Sequence, residues 1–239
     1  MSPFFGSFAH AALLANHYQQ SWQNDSIGWD VEAIREGILT KPHQIKVPLL
    51  EKEPSMDDSA WSKTPGVKFC RSTDGMPPII RPTILKVLRD KDNLYVRVKV
   101  KHPLVLVSDM IVPKKEEDVL KQHHLDIAIQ PVPNGPIYHL AASPTKGVRY
   151  DALVKQGQKS DTSWNGTWSF DYISKEKTNG RHSLEWIGVF KIPFATLGVP
   201  SPKADDSWGF NADREVQGHL MYWKKGRITD ANALGKLTF

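Results

Sequence analysis

The chain has 239 residues, 40% of them hydrophobic and 24% charged, an ordinary globular mixture that excludes a disordered polymer. Its net charge of +5 is mild and its basic residues are scattered. Lys114-Lys115 is followed at once by Glu116, Glu117 and Asp118, so no phosphate-binding stripe is expected and nucleic acid is not a predicted partner. Cys70 is the only cysteine, which excludes an internal disulfide and a cysteine-based metal site.

No signal peptide is read at the N-terminus, because the first residues lack a positive stretch and His10 interrupts the run 8–15. No apolar run reaches membrane-spanning length, so no membrane partner is expected. A secreted or periplasmic location would follow only if the chain belongs to a longer exported protein.

The first fifty residues differ from the rest. Phe8, Ala11, Ala12, Leu14 and Ala15 predict a helix over 7–22, and a second is predicted over 30–39 with Asp30 as cap. Residues 43–54 read as an extended linker with Ile45, Val47 and Leu49 alternating. Residues 1–50 are therefore expected to form a helical segment and linker, or the tail of a preceding domain, followed by an all-β domain over 55–239.

That second part is dense in short strands. Strands are predicted over 67–71, 83–87, 94–100, 125–130, 138–142, 148–153, 168–173, 186–193 and 208–211, with turns at Gly75, Asn134-Gly135 and Asn179-Gly180. Leu94, Val96, Val98 and Val100 alternate with Tyr95, Arg97, Lys99 and Lys101, the pattern of a half-buried strand with one wet face. Ile192-Pro193-Phe194 ends the strand beginning near Trp186, since proline cannot donate to a ladder. The density predicts an antiparallel β-sandwich of jelly-roll or immunoglobulin-like layers with a short N-terminal helical segment.

Six stretches in order carry a resemblance: Asp57-Asp58-Ser59-Ala60-Trp61; the hairpin 85–96; His124-Leu125-Asp126-Ile127-Ala128-Ile129; Tyr138-His139-Leu140-Ala141-Ala142; Trp186 to Arg214, including Trp208-Gly209-Phe210-Asn211; and Ala233 to Leu237. Over residues 55–239 the chain resembles a family 9 carbohydrate-binding module. The resemblance implies a non-catalytic domain that binds a polysaccharide or oligosaccharide. It also implies a role beside a glycoside hydrolase domain, in the same chain or complex, in carbohydrate breakdown. Members clamp a terminal sugar between two tryptophans, because indole stacks on apolar sugar faces. Leu120 and Ile228 match those tryptophans here, so the clamp is expected to be missing. Asp126 matches the carboxylate that contacts sugar, while Ala141 replaces an arginine. His102 replaces the hairpin aspartate, which weakens the case for structural calcium, and no cofactor is expected.

The candidate ligand-binding residues are Asp126, Tyr138, His139, Trp164, Trp168, Asn211 and Arg214. The turn Trp164-Asn165-Gly166-Thr167-Trp168 would lift two indoles together for stacking, or else plug the sandwich edge. Arg214 offers a guanidinium fork to sugar oxygens or to a structural carboxylate. His123 and His124 face opposite sides of a strand, so they are not expected to share a metal ion, whereas His124 and Asp126 share a face. Carboxylates are plentiful but no spacing singles out a catalytic pair, and no phosphate loop or hydrolase elbow is read. The alternatives are a ligand-free sandwich that packs on another domain, and a haem-binding sandwich with Met110 or Met221 as ligand.

Overall fold

A computed structural model describes residues 43–71, 83–103, 116–121, 123–144, 149–177, 183–216 and 219–239. The two helices predicted before residue 42, and Met110, lie outside them. The described residues belong to a compact unit of residues 42–239.

In chain order the elements are β1 (Gln44–Lys46), α1 (Ser59–Lys63), β2 (Val67–Lys68), β3 (Cys70–Arg71), β4 (Thr83–Arg89) and β5 (Asn93–Pro103). Then follow α2 (Glu116–Val119), β6 (His124–Gln130), β7 (Ile137–Ala142), β8 (Arg149–Val154), β9 (Ser169–Lys177) and β10 (Ser183–Pro193). A 3-10 turn at Phe194–Leu197 leads to β11 (Ser207–Val216), β12 (His219–Tyr222) and β13 (Gly235–Thr238). These strands form two stacked sheets, the predicted β-sandwich. The larger has the order β1-β13-β11-β6-β7-β8, with β12 and β3 continuing from β11, and the smaller has β2-β4-β5-β10-β9. Among the described residues the strands pair antiparallel except β1 with β13, and an isolated parallel bridge joins Leu49 to Arg89. β1 lies within the stretch read as extended linker, and Ile45 and Val47 are buried while Leu49 is exposed.

Period-2 alternation builds the core. Leu85, Val87, Val96, Val98, Phe190 and Ile192 of the smaller sheet meet Leu125, Ile127, Ile129, Leu140, Phe210 and Leu237 of the larger one. Met221, raised above as a haem ligand, is one of these interior residues. The 3-10 turn closes at Gly198, whose positive φ of 65° suits a residue without a Cβ.

The wet face predicted for β5 is partly dry. α1 starts at Asp58, whose side chain accepts from the Ala60 N–H, and it lays Trp61 on the outer face of the smaller sheet beside Leu88, Tyr95 and Val189. This is why β4 is buried along its whole length and why Lys86 can be buried, its ammonium donating to the Trp61 carbonyl at 2.7 Å. Tyr95 is likewise buried, and its hydroxyl donates to Asp90 at 2.6 Å across the hairpin turn.

Candidate functional site

The outer face of the larger sheet is polar where a buried face would normally be apolar. On β6, Leu125, Ile127 and Ile129 enter the core, so His124, Asp126 and Ala128 point to the opposite side. Register then assembles neighbours. Asp126 pairs with Asp213 of β11 on one flank and with Ala141 of β7 on the other, and Ala141 pairs with Tyr150 of β8. One rung along, Asn211, Ala128, His139 and Ala152 form the next row.

Asp126 joins the rows. Its Oδ2 lies 2.8 Å from Nε2 of His124 and its Oδ1 lies 2.8 Å from Nε2 of His139. Burial pushes the Asp126 carboxyl up, but the two imidazole hydrogen bonds outweigh it and hold the group below the usual carboxylate range. The opposite holds for Asp213. Burial, the negative charge of Asp126, a hydrogen bond to Asp126 and the nearby Glu215 raise it well above that range, so Asp213 keeps its proton where Asp126 does not. Asp213 Oδ1 is buried without a hydrogen-bond partner. His139 meets Tyr150 edge to face at 5.2 Å. Burial, then Asp126, Asp151 and Glu116, push the Tyr150 hydroxyl up.

Two apolar groups flank this cluster. Leu120 packs with Val119, Ala141, Tyr150 and Ala152, while Ile228 packs with Ala128, Ile137, Val154 and Leu234. Leu120 and Ile228 are the two positions matched to the family's clamp tryptophans, and both lie over this same face. Among the described residues no group of three or more His, Cys, Asp or Glu side chains is arranged to hold a metal ion. Both imidazoles aim Nε2 at the carboxylate itself, not at a shared vacant point. What the arrangement offers is a fixed pair of imidazoles, a phenol and carboxyl groups of split protonation, suited to hydrogen-bonding a polar ligand.

The seven candidate residues do not converge on one place. Asp126 and His139 are brought together, and His124 and Tyr150 join them. Asn211 lies on the same face, but its side chain is spent: Nδ2 donates to the Lys224 and Ala233 carbonyls and Oδ1 accepts from the Ala212 and Lys224 N–H groups. Arg214 points the other way, into the sandwich. It is 2% exposed, donates to Thr83 Oγ1 at 3.0 Å and lies 6.0 Å from the Trp186 ring. Tyr138 also faces inward, with its hydroxyl donating to the Leu197 carbonyl at 2.7 Å and its ring edge-on to Trp164 at 5.2 Å.

Of the two readings of the 164–168 turn, the one in which it plugs the sandwich edge describes Trp168. Trp168 is 4% exposed because its N–H finds an acceptor in buried Asp151 at 2.8 Å. Its ring stacks on Phe190, and the Arg149 guanidinium lies 4.6 Å from the ring centre. Trp164 is half-buried and folds back on Gly166, where a Cβ would fall 2.5 Å from the indole. Tyr150 and Asp213 were the residues not singled out. The signal that would find them is strand register: both lie on the rung of Asp126, Asp213 in the adjoining strand β11 and Tyr150 two strands away in β8.

Comparison with solved structures places the fold. A candidate carbohydrate-binding protein from Bacteroides uniformis superposes with a TM-score of 0.59 at 11% identity, covering 83% of this chain and 100% of that one. A family 9 carbohydrate-binding module from Caldicellulosiruptor kristjanssonii in complex with glucose gives a TM-score of 0.53 at 12% identity, over 82% of this chain and 94% of the module. The same organism's family 9 module in complex with cellotriose gives 0.52 at 12% identity, over 82% and 92%. Neither a family model nor a curated protein matches the chain. The chain thus has the β-sandwich fold of family 9 carbohydrate-binding modules.

Proposed function

We propose that this chain is a non-catalytic carbohydrate-binding module that receives a saccharide on the outer face of its larger sheet, and that it serves a glycoside hydrolase as an accessory domain in polysaccharide breakdown. The observation that carries the reading is the buried Asp126–His139 pair with Tyr150 on that face, flanked by Leu120 and Ile228. Polar groups held on a sheet face between apolar flanks are what a sugar requires, since its hydroxyls need directed partners and its ring faces need apolar contact. The shared fold supports the same reading, because two of the similar modules hold glucose and cellotriose. With leucine and isoleucine at the clamp positions, aromatic stacking contributes less, and hydrogen bonding carries more of the recognition.

Isothermal titration calorimetry of the whole chain against glucose, cellotriose and a panel of soluble glycans, with tryptophan fluorescence in parallel, tests this. Saturable heat with at least one saccharide supports it; no heat with any glycan, from a folded chain, sinks it. A second reading, a ligand-free module that packs on another domain, is favoured by one observation. Trp61, Trp168, Trp186, Trp208 and Trp223 are all 5% exposed or less, so none of these indoles presents a stacking platform.

A further inference from the structure

The outer-face cluster contains a division of labour that the resemblance does not supply. Both oxygens of Asp126 are occupied by imidazoles, Oδ2 by His124 and Oδ1 by His139. With the hydrogen bond to Asp213 as well, Asp126 is engaged from three sides inside the protein. The two groups beside it are differently placed. Among the described residues, neither Nδ1 of His139 nor the Tyr150 hydroxyl has a hydrogen-bond partner, and each residue keeps 7% of its surface open to solvent. The His139 and Tyr150 rings meet at 5.2 Å with an interplanar angle of 68°, so the two residues stand side by side on this face.

The tautomer of His139 follows from Asp126. An ionised carboxylate accepts only, so the Nε2 that faces it carries the hydrogen, and in the neutral ring Nδ1 is then the lone-pair acceptor. We infer that His139 Nδ1 and the Tyr150 hydroxyl are the ligand-reading pair of this face, and that Asp126 is the positioning residue that fixes the His139 tautomer behind them. The inference rests on the carbohydrate-binding reading and deepens it. It also selects a ligand class. Nδ1 needs a donor, and the phenol beside it both donates and accepts, so the pair fits neighbouring hydroxyls of a neutral sugar. The carboxylate of a uronic acid offers acceptors only, and it would approach the negative charge of Asp126.

The test combines a spectroscopic and an affinity readout on the whole chain. Long-range proton–nitrogen correlation spectra of the histidine rings are expected to show His139 protonated at Nε2 and bare at Nδ1 near neutral pH, with the Nδ1 signal moving on addition of cellotriose. Oligogalacturonate of equal length is expected not to move it. Asp126→Asn, which can donate as well as accept, is expected to mix or reverse the tautomer and weaken cellotriose binding. Tyr150→Phe keeps the ring and its packing and is expected to cost about 2–10-fold in affinity, the value of one hydrogen bond. A wild-type His139 protonated at Nδ1 overturns the inference. So does unchanged affinity in a folded Tyr150→Phe variant, and in either case saccharide binding itself still stands. Failure of the wild type to bind any saccharide overturns the inference and the carbohydrate-binding reading together.

Discussion

The carboxyl pair Asp126–Asp213 makes stability depend on pH in a way that one substitution exposes. Asp213 is the member that keeps a proton: burial, the Asp126 charge, the hydrogen bond to Asp126 and Glu215 all raise it. Its pKa in the folded chain therefore lies above that of an unfolded aspartate, about 3.9. Over the interval between the two values the folded state binds more protons than the unfolded one, so unfolding free energy falls as pH rises. One proton sets the limiting slope at about 1.4 kcal/mol per pH unit. Asp126 works in the opposite sense. Its folded pKa is depressed, so its contribution is present above the ordinary carboxylate pKa and is lost as pH falls through the lower folded value. Asp213→Asn keeps the shape and a permanent N–H for Asp126, and it removes the titration. Urea unfolding at steps from about pH 4 to about pH 8 measures both chains. The wild type is expected to lose ground against the variant as pH rises, at no more than that slope, while both weaken together in acid. A difference between the two that stays constant across the series would refute the assignment of the proton to Asp213.

Three further substitutions probe the frame that holds the face. Trp168→Phe preserves the stack on Phe190 but removes the N–H that satisfies Asp151, with an expected cost of about 1–3 kcal/mol in thermal or urea unfolding and no change in saccharide affinity. Asp90→Ala removes the acceptor of the Asp92 and Asn93 N–H groups, the Asn93 amide and the Tyr95 hydroxyl, at about 2–4 kcal/mol near neutral pH. Burial pushes the Asp90 carboxyl up, but these bonds hold it below the usual range, so the cost should shrink as pH falls through its folded pKa. Gly188→Ala would set a Cβ 2.4 Å from Phe170 Cζ, and the overpacking should cost about 1–3 kcal/mol by the same assay.

The sandwich was legible because its strands obey period 2 and its turns carry glycine and proline. The hairpin of β4 and β5, and β6, β7 and β10, fall within a few residues of their predicted bounds. Local pattern fails where sheet membership changes. Residues 67–71 read as one strand, yet Val67-Lys68 pairs with β4 in the smaller sheet and Cys70-Arg71 pairs with β12 in the larger, with fully buried Phe69 between them. β12 itself escaped, since four residues after Gln217-Gly218 carry too little periodicity. Tyr95 shows the other limit, because a residue on an outward-facing position is dry when a helix distant in sequence covers it.

The site was legible only in its central pair. Side-chain parity separates Asn211 and Asp213 from Arg214, but parity alone does not say which face holds the cluster. Asp126 and His139, 13 residues apart, meet because a tight Asn134-Gly135 turn sets the register of β6 against β7. Both readings of the 164–168 turn stay open in the sequence because the buried partners of Trp168, Asp151 and Phe190, lie in other strands.

The central claim is that a saccharide seats on the outer face of the larger sheet, and a backbone amide chemical-shift map of the whole chain titrated with cellotriose tests it most directly. Shifts that saturate together and cluster on β6, β7 and β8 around Asp126, His139 and Tyr150 are the predicted result. Saturable shifts confined to the smaller sheet, or none at all up to millimolar sugar, would contradict it.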